Sequence, residues 1–535
     1  MNKLKIRSLL AFGFLLLILA TSIMAVSAAD PVTLKAGLCS REFKTMNALV
    51  RPWYENANEF YGTTHVGLAA FDSDLTPIPL LASKWEIASD GKSIKFYLAK
   101  NATWHDGKPL TSDDVKFTYE YWRDKHLYRE GMWLNQYLDK VDVLDDYTGQ
   151  IFLKEPYSYY VIKALFPTVY IVPKHVWEKV DDPKKYEEMD AMIGSGPFVF
   201  EKYDKDADTA YLKANLDYFK GKPAIDRIEW KHFRTMDSML LALKKGEIDV
   251  ILDDVLPEGV LAPSLLGEKG VTLDVGPNQG LEYLIFNYRK YPMNVTDFRK
   301  AVSYAIDYQS LVDAAQAGYG EVPGEGLIPS SVAEYNPDIP MLEYNISKAN
   351  EILDSLKFID TDGNGIRNLP NGADLRIELF AWPSEPKDER IAEMISYGLT
   401  KVGIDAEPLI TEDATAQKIA YENKSFDMRV ESHDPYMTAL SFGLIDLVPV
   451  QYGTWDDPKL MELYNRTMSA KSQKELKSAA FDLQDYYAKE MPAIALIWQK
   501  SIYPYRSDSF EGWIPLQGYG LTSYESWFNI KPVGK

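Results

Sequence analysis

The chain is poor in the residues on which small secreted folds and metalloenzymes depend. A single cysteine, Cys39, rules out any disulfide within the chain. Six histidines stand in 535 residues, none at H-x-x-x-H or H-E-x-x-H spacing, so a direct all-protein metal site is not expected. A G-x-S-x-G elbow and a catalytic-cysteine context are also missing. Basic residues are outnumbered, 58 Lys and Arg against 78 Asp and Glu, and the formal charge is −20. Phosphate binding needs a basic footprint, so nucleic acid is excluded as a partner. Beyond the N-terminus no stretch is long and apolar enough to cross a membrane.

The N-terminus reads as an export signal over residues 1–28. It has basic Lys3, Lys5 and Arg7, an apolar run from Leu9 to Ala20, and small residues at Val26-Ser27-Ala28-Ala29. Left uncleaved, Ser8 to Ala29 is long enough to act as an anchor, but its small-residue ending favours cleavage. The mature protein is therefore expected outside the cytoplasm, secreted or tethered at the outer membrane face. Lys35 and Leu38 precede Cys39 where a lipidation site needs small apolar residues, so Cys39 is placed instead as a small buried residue of the first strand. Five Asn-x-Ser/Thr sequons, beginning with Asn101, are compatible with glycosylation.

What is present is ample core material, with a 46% hydrophobic fraction that includes 35 Tyr and 12 Trp. At this length at least two domains are expected. Residues 85–115 predict two short strands, turns at Asp90-Gly91 and Asp106-Gly107, and a helix entered through a Thr111/Asp114 capping box. Gly194-Ser195-Gly196-Pro197-Phe198 is a turn into a strand, since it lacks the lysine and spacing of a phosphate loop. Ser238–Leu243 is a helix closed by Gly246. Phe298, Ala301, Val302, Ala305 and Ile306 form one apolar stripe, predicting a continuous helix over 298–312, and the same pattern recurs over 347–356. The apolar run 491–497 is a strand buried on both faces. Helices alternate with strands without an evident linker, so the class is α/β, or mixed α+β, with interwoven domains.

The order Trp-Glu, Asp-Gly-Lys, Trp-His-Asp-Gly-Lys-Pro-Leu and Asp-Asp-Val in this first stretch resembles the solute-binding proteins of peptide/nickel-type ABC importers, family 5. Later segments match in the same order: GSGPF, NLDYFKGKPAIDRI, KKGEIDV, FNYRKYPMNVTDFRKAVSYAIDYQSLV, DTDGNGIR, KVGIDAEP and EMPAIALI. The resemblance implies a two-lobed periplasmic-binding clamp of type II. Lobe I would comprise residues 30–64, 191–277 and 504–535, with an extra domain inserted at 65–190. Lobe II would comprise 278–503. It also implies a binding protein without catalysis, which captures a small molecule and hands it to a membrane permease with its ATPase subunits. Peptide is the first choice of ligand, ahead of a nickel or other metal chelate and an oligosaccharide. A monomer is expected. A secreted hydrolase and a sensory receptor are the rival readings.

In peptide-binding members of that family an aspartate shortly after a Phe-Asp strand pairs with the ligand's amino terminus. The corresponding stretch here is Phe426-Asp427 to Pro435, and Asp434 is the nearest match, although the usual Gly-Trp is missing and the spacing is shorter. A helix N-cap before Pro435 is the alternative role for Asp434. Alternation along the strand puts Arg429, Glu431 and His433 on one face. There Arg429 is a candidate for a ligand carboxylate and His433 for a chelated metal. Trp53 and Tyr54 are candidates for stacking on a ligand, or for packing against the first strand. Asp360, Asp362 and Asn364, with Gly365 following, copy the opening of a calcium loop, but the twelfth position is Asn371. A metal-free turn is the leading reading there and a structural calcium the alternative. No other cofactor is expected.

Overall fold

The computed structural model describes residues 30–39, 46, 47, 49, 57–73, 75–252, 259–383, 386–433, 457–516, 520, 521 and 523–534. The chain divides into Met1–Val32 and Thr33–Lys535, and every element described below belongs to the second unit. The expected export signal, Trp53, Tyr54 and Asp434 lie outside the described residues. Among the described residues no helix is long and apolar enough to span a membrane.

A large mixed sheet organises the fold. Its strands are β1 (Thr33–Leu38), β6 (Phe198–Asp204), β7 (Thr209–Ala214), β8 (Arg227–His232), β9 (Val250–Ile251), β10 (Val271–Phe286), β11 (Arg376–Phe380), β12 (Asp405–Leu409), β13 (Met428–His433) and β14 (Ala493–Arg506). Their spatial order is β12-β11-β13-β10-β14-β9-β1-β8-β7-β6, with Gly320–Glu321 added beside β14. A separate antiparallel sheet holds β2 (Ala82–Ile87), β3 (Ser93–Leu98), β4 (Leu138–Asp145) and β5 (Thr148–Leu153) in the order β2-β3-β5-β4.

β10 and β14 join the two ends of the large sheet. They are antiparallel, and residues 271–277 of β10 pair with 500–506 of β14. The register shifts between Pro277 and Leu281, after which Leu281–Ile285 pair with 493–498. Parallel β1, β8 and β9 lie on one side of this pair, and parallel β11, β12 and β13 on the other. The buried strand predicted in the run 491–497 begins at Ala493, after Met491 closes the preceding helix, and continues to Arg506.

The opening motif is scaffold. Gly91 and Gly107 take positive φ values of 72° and 84°, as tight turns require. Helix α1 (Ser112–Asp124) begins after Thr111, whose backbone N–H donates to Asp114 Oδ2 at 2.9 Å. Trp104 is buried, and Trp85 packs edge-on against Phe166. His105 ties this turn to the GSG segment. Its backbone N–H donates to the Gly194 carbonyl at 2.8 Å, and its Nε2 lies 3.1 Å from the Gly196 carbonyl. The Gly196 N–H in turn donates to the Thr64 carbonyl at 2.8 Å. A Cβ on Gly194 would sit 1.9 Å from that same oxygen, so the glycine is required by close backbone approach.

Helix α3 (Met236–Lys245) ends at Gly246 in the left-handed conformation, as the sequence predicts. Asp249 then stitches β9 to β1: its N–H donates to the Lys35 carbonyl, and its Oδ2 accepts the Lys35 N–H at 2.9 Å. Two expectations need correction. The helix predicted over 298–312 is two helices, α4 (Thr296–Tyr304) and α5 (Tyr308–Gln316). Asp307 caps α5 by accepting the Ser310 N–H, while Ala305 and Ile306 stay buried, so the apolar stripe survives the break that the cap imposes. Cys39 follows β1 rather than lying in it, and it is half-buried. The helix predicted at 347–356 is α6 (Ile346–Ser355), capped by Asn345. Arg299 of α4 is buried and donates to the carbonyls of Met293 and Met491, which ties that helix to the start of β14.

Candidate functional site

In open α/β sheets ligands gather beyond the carboxyl ends of parallel strands, where loops replace the sheet. On one side of the β10–β14 pair those ends are Leu38, His232 and Ile251. On the other they are Phe380, Leu409 and His433. His232 is buried, with Nδ1 2.7 Å from Asp208 Oδ2.

The second set carries more charge. Phe380 pairs with Arg429 across β11 and β13, and β13 runs antiparallel to β10 with Ile285, Tyr283 and Leu281 opposite Arg429, Glu431 and His433. Arg429 is fully buried and forms an ion pair with Glu431, two residues along the same face. Its guanidinium lies 5.1 Å from the Trp382 ring centre and 4.9 Å from that of Tyr421, and Nη2 donates to the Tyr421 hydroxyl at 3.2 Å. Trp382, two residues beyond β11, donates Nε1–H to Glu431 Oε2 at 3.2 Å. The aromatic wall offsets the loss of water around the cation, and Glu431 neutralises it. Of the sequence candidates, Arg429 is buried near the start of β13, with its charge engaged by Glu431. His433 closes the described part of β13 opposite Leu281.

A second polar group occupies the other face of the same strands. Glu282 of β10, buried and opposite Ser432, receives Lys387 Nζ at 2.6 Å and the side-chain amide of Gln499. Lys387 stands in the first turn of α7 (Pro386–Thr400). Glu282 lies just past the register shift, so this ion pair couples α7 to the place where the long strands change partners.

Asp360, Asp362 and Asn364 share one loop that precedes β11. Asp360 Oδ1 accepts the Gly363 N–H at 2.7 Å and Oδ2 the Gly365 N–H at 2.9 Å. These backbone bonds, led by that from Gly365, hold its carboxyl below the ordinary range. Asp362 accepts the Asn364 N–H, and Asn364 reaches Asp374. The loop therefore folds on its own amides. Among the described residues no cluster of three His, Cys, Asp or Glu side chains has metal-binding geometry.

Trp382, Tyr421, Glu282 and Lys387 were not singled out from sequence. Position explains two of them: Trp382 and Lys387 follow β11, a parallel strand beyond whose carboxyl end ligands collect.

The comparisons agree with this architecture. The dipeptide-binding protein of Escherichia coli K12 is 29% identical over 385 residues, 68% of this chain and 66% of that protein. The oligopeptide-binding protein AppA of Bacillus subtilis is 29% identical over 361 residues, 65% and 64% of the two chains. The chain thus spans just under two thirds of the length of these curated relatives. Among solved structures, an oligopeptide-binding protein of a Thermotoga maritima ABC transporter superposes with a TM-score of 0.79 at 22% identity, covering 94% of this chain and 100% of its own. NikA of Brucella suis, in complex with Fe(III)-EDTA, gives 0.79 at 17% identity, covering 94% and 99%. These structures share the mixed α/β fold of type II periplasmic binding proteins. The family model for bacterial extracellular solute-binding proteins, family 5, matches residues 76–445, so the chain belongs to that family.

Proposed function

We propose that this protein is the extracytoplasmic binding component of an ABC importer, which captures a peptide between two lobes and passes it unchanged to a permease and its ATPases. One observation carries the reading. Two long antiparallel strands, with a register shift between Pro277 and Leu281, join two sets of parallel strands whose carboxyl ends are free to face a common cleft. Such a pair bends within the stretch from Pro277 to Tyr283, where its register shifts, and leaves both lobes rigid. The names of the relatives, dipeptide-binding and oligopeptide-binding, favour peptide. Lobe I is residues 30–64, 191–277 and 504–535 with 65–190 inserted, and lobe II is 278–503.

In this reading Asp434, next in sequence after β13, pairs with the peptide ammonium, and Trp53 and Tyr54 stack on the ligand. The buried Arg429–Glu431 pair holds β13 against Trp382 and Tyr421. His433 is the group to meet a metal chelate in the alternative reading, and the protein acts as a monomer without catalysis. Native mass spectrometry of the purified protein tests the proposal, because an enclosed cleft retains its guest. A co-purified peptide mass supports it. A metal chelate or a sugar at the same stoichiometry would replace peptide with one of the alternatives, and a substrate converted to product would end the binding-protein reading.

A further inference from the structure

Within the inserted segment, helix α2 (Ser158–Thr168) carries Lys163, whose charge is buried against a partner remote in sequence. Lys163 Nζ lies 3.5 Å from Glu334 Oε1, and the two side chains are 8% and 1% exposed. Gln473, the first residue of α8 (Gln473–Glu490), ties them together. Its Oε1 accepts from Lys163 Nζ at 3.1 Å and from the Tyr159 hydroxyl at 2.7 Å, while its Nε2 donates to Glu334 Oε1 at 2.5 Å. Glu334 is itself fixed to α8, since Gln484 Nε2 donates to its carbonyl at 2.7 Å and Gln484 Oε1 accepts the Asn336 N–H at 2.9 Å. Burial, aided by the Glu334 charge, pushes the half-buried Tyr159 phenol up to about 12. The surrounding apolar cluster is continuous, with Ile162 and Leu165 of α2 in the same cluster as Val332 and Leu476.

A seal of apolar side chains alone would resist opening, because separation exposes its whole area to water. Two charges behave differently. Dry and paired, they roughly break even; separated, each regains full hydration; but one left dry without the other is strongly unfavourable. This contact therefore favours one docked geometry without making release costly.

We propose that the Lys163–Glu334–Gln473 contact is a latch between the inserted domain and lobe II, a matched set that the ligand-free clamp needs intact in order to close. The proposal rests on the two-lobed reading above, and it assigns the inserted domain a role in closure rather than in ligand contact.

Small-angle scattering of protein stripped of ligand by unfolding and refolding tests it without any guest. Lys163→Met should enlarge the radius of gyration relative to wild type, since closure would bury Glu334 unpaired. Lys163→Met combined with Glu334→Leu should return it to the wild-type value or below, and Lys163→Arg should stay near wild type. Should Lys163→Met fail to fold by circular dichroism, Glu334→Gln takes its place with the same expected direction. Equal radii for the folded variants overturn the latch. Calorimetric titration of wild type with trialanine is a separate arm: no binding there counts against peptide as the guest, while the variant series still reads the latch.

Discussion

Acidification should loosen the junction between the Trp-His-Asp-Gly turn and the GSG segment through His105. The ring bridges two backbone groups, with Nε2 directed at the Gly196 carbonyl and Nδ1 accepting the Gly194 N–H at 3.3 Å. A second proton would have to go on Nδ1, which faces a donor. Burial accordingly pushes the imidazole down from 6.5 to about 4, against the opposing pulls of the Gly196 carbonyl and the Asp106 charge. Between these two values the unfolded chain binds more protons than the folded one. The contribution is thus fully present above about 6.5 and is lost as pH falls toward 4. The shift is worth roughly 3 kcal/mol, and the half-buried setting reduces this to about 2 kcal/mol between pH 7 and 4.5. His105→Gln keeps a donor and an acceptor but cannot titrate. Hydrogen exchange of the peptide spanning 190–198 is the assay, with wild type and variant compared at each pH. Wild type should lose about 30-fold more protection than the variant on going from pH 7 to 4.5. Equal losses would refute the assignment, because every other titrating group is common to both proteins.

Asp434→Ala should weaken binding of a peptide with a free amino terminus by roughly 3–5 kcal/mol, as for a buried charge losing its partner; unchanged calorimetric affinity would remove Asp434 from the site. Arg429→Ala leaves Glu431 dry beside Trp382 and should lower stability by about 3–5 kcal/mol in urea unfolding, whereas a loss under 1 kcal/mol would show that water reaches the pair. Because Asp360 is already satisfied by the amides of Gly363 and Gly365, EDTA should leave the melting temperature unchanged, and a drop would place a divalent cation in the 360–366 loop.

Features that depend on neighbouring residues were legible in the sequence. The Asp-Gly turns, the Thr111/Asp114 cap and the left-handed Gly246 each follow from one or two side chains and the backbone they permit. The break between α4 and α5 was not legible, because Ala305 and Ile306 continue the helical stripe and remain buried after it ends. Long-range polar pairing was hidden for a different reason. Lys163 and Gln473 are 310 positions apart, and nothing in either local pattern names the other. Glu282 reads as an ordinary acidic residue of a strand until Lys387 is seen against it. Of the binding candidates, Arg429 has a described environment, while Asp434, Trp53 and Tyr54 rest on the sequence alone.

The bond from the Gly196 amide to the Thr64 carbonyl brings together the points where the chain leaves for the small sheet and returns from it. A module whose stalk is pinched shut at its base imposes no spacing on its host, so its length can change without moving the helix Ala57–Thr64 or β6 on either side of it. Relatives could therefore vary the length of this appendage, provided the two glycines that let the stalk close and the Lys163 contact are kept.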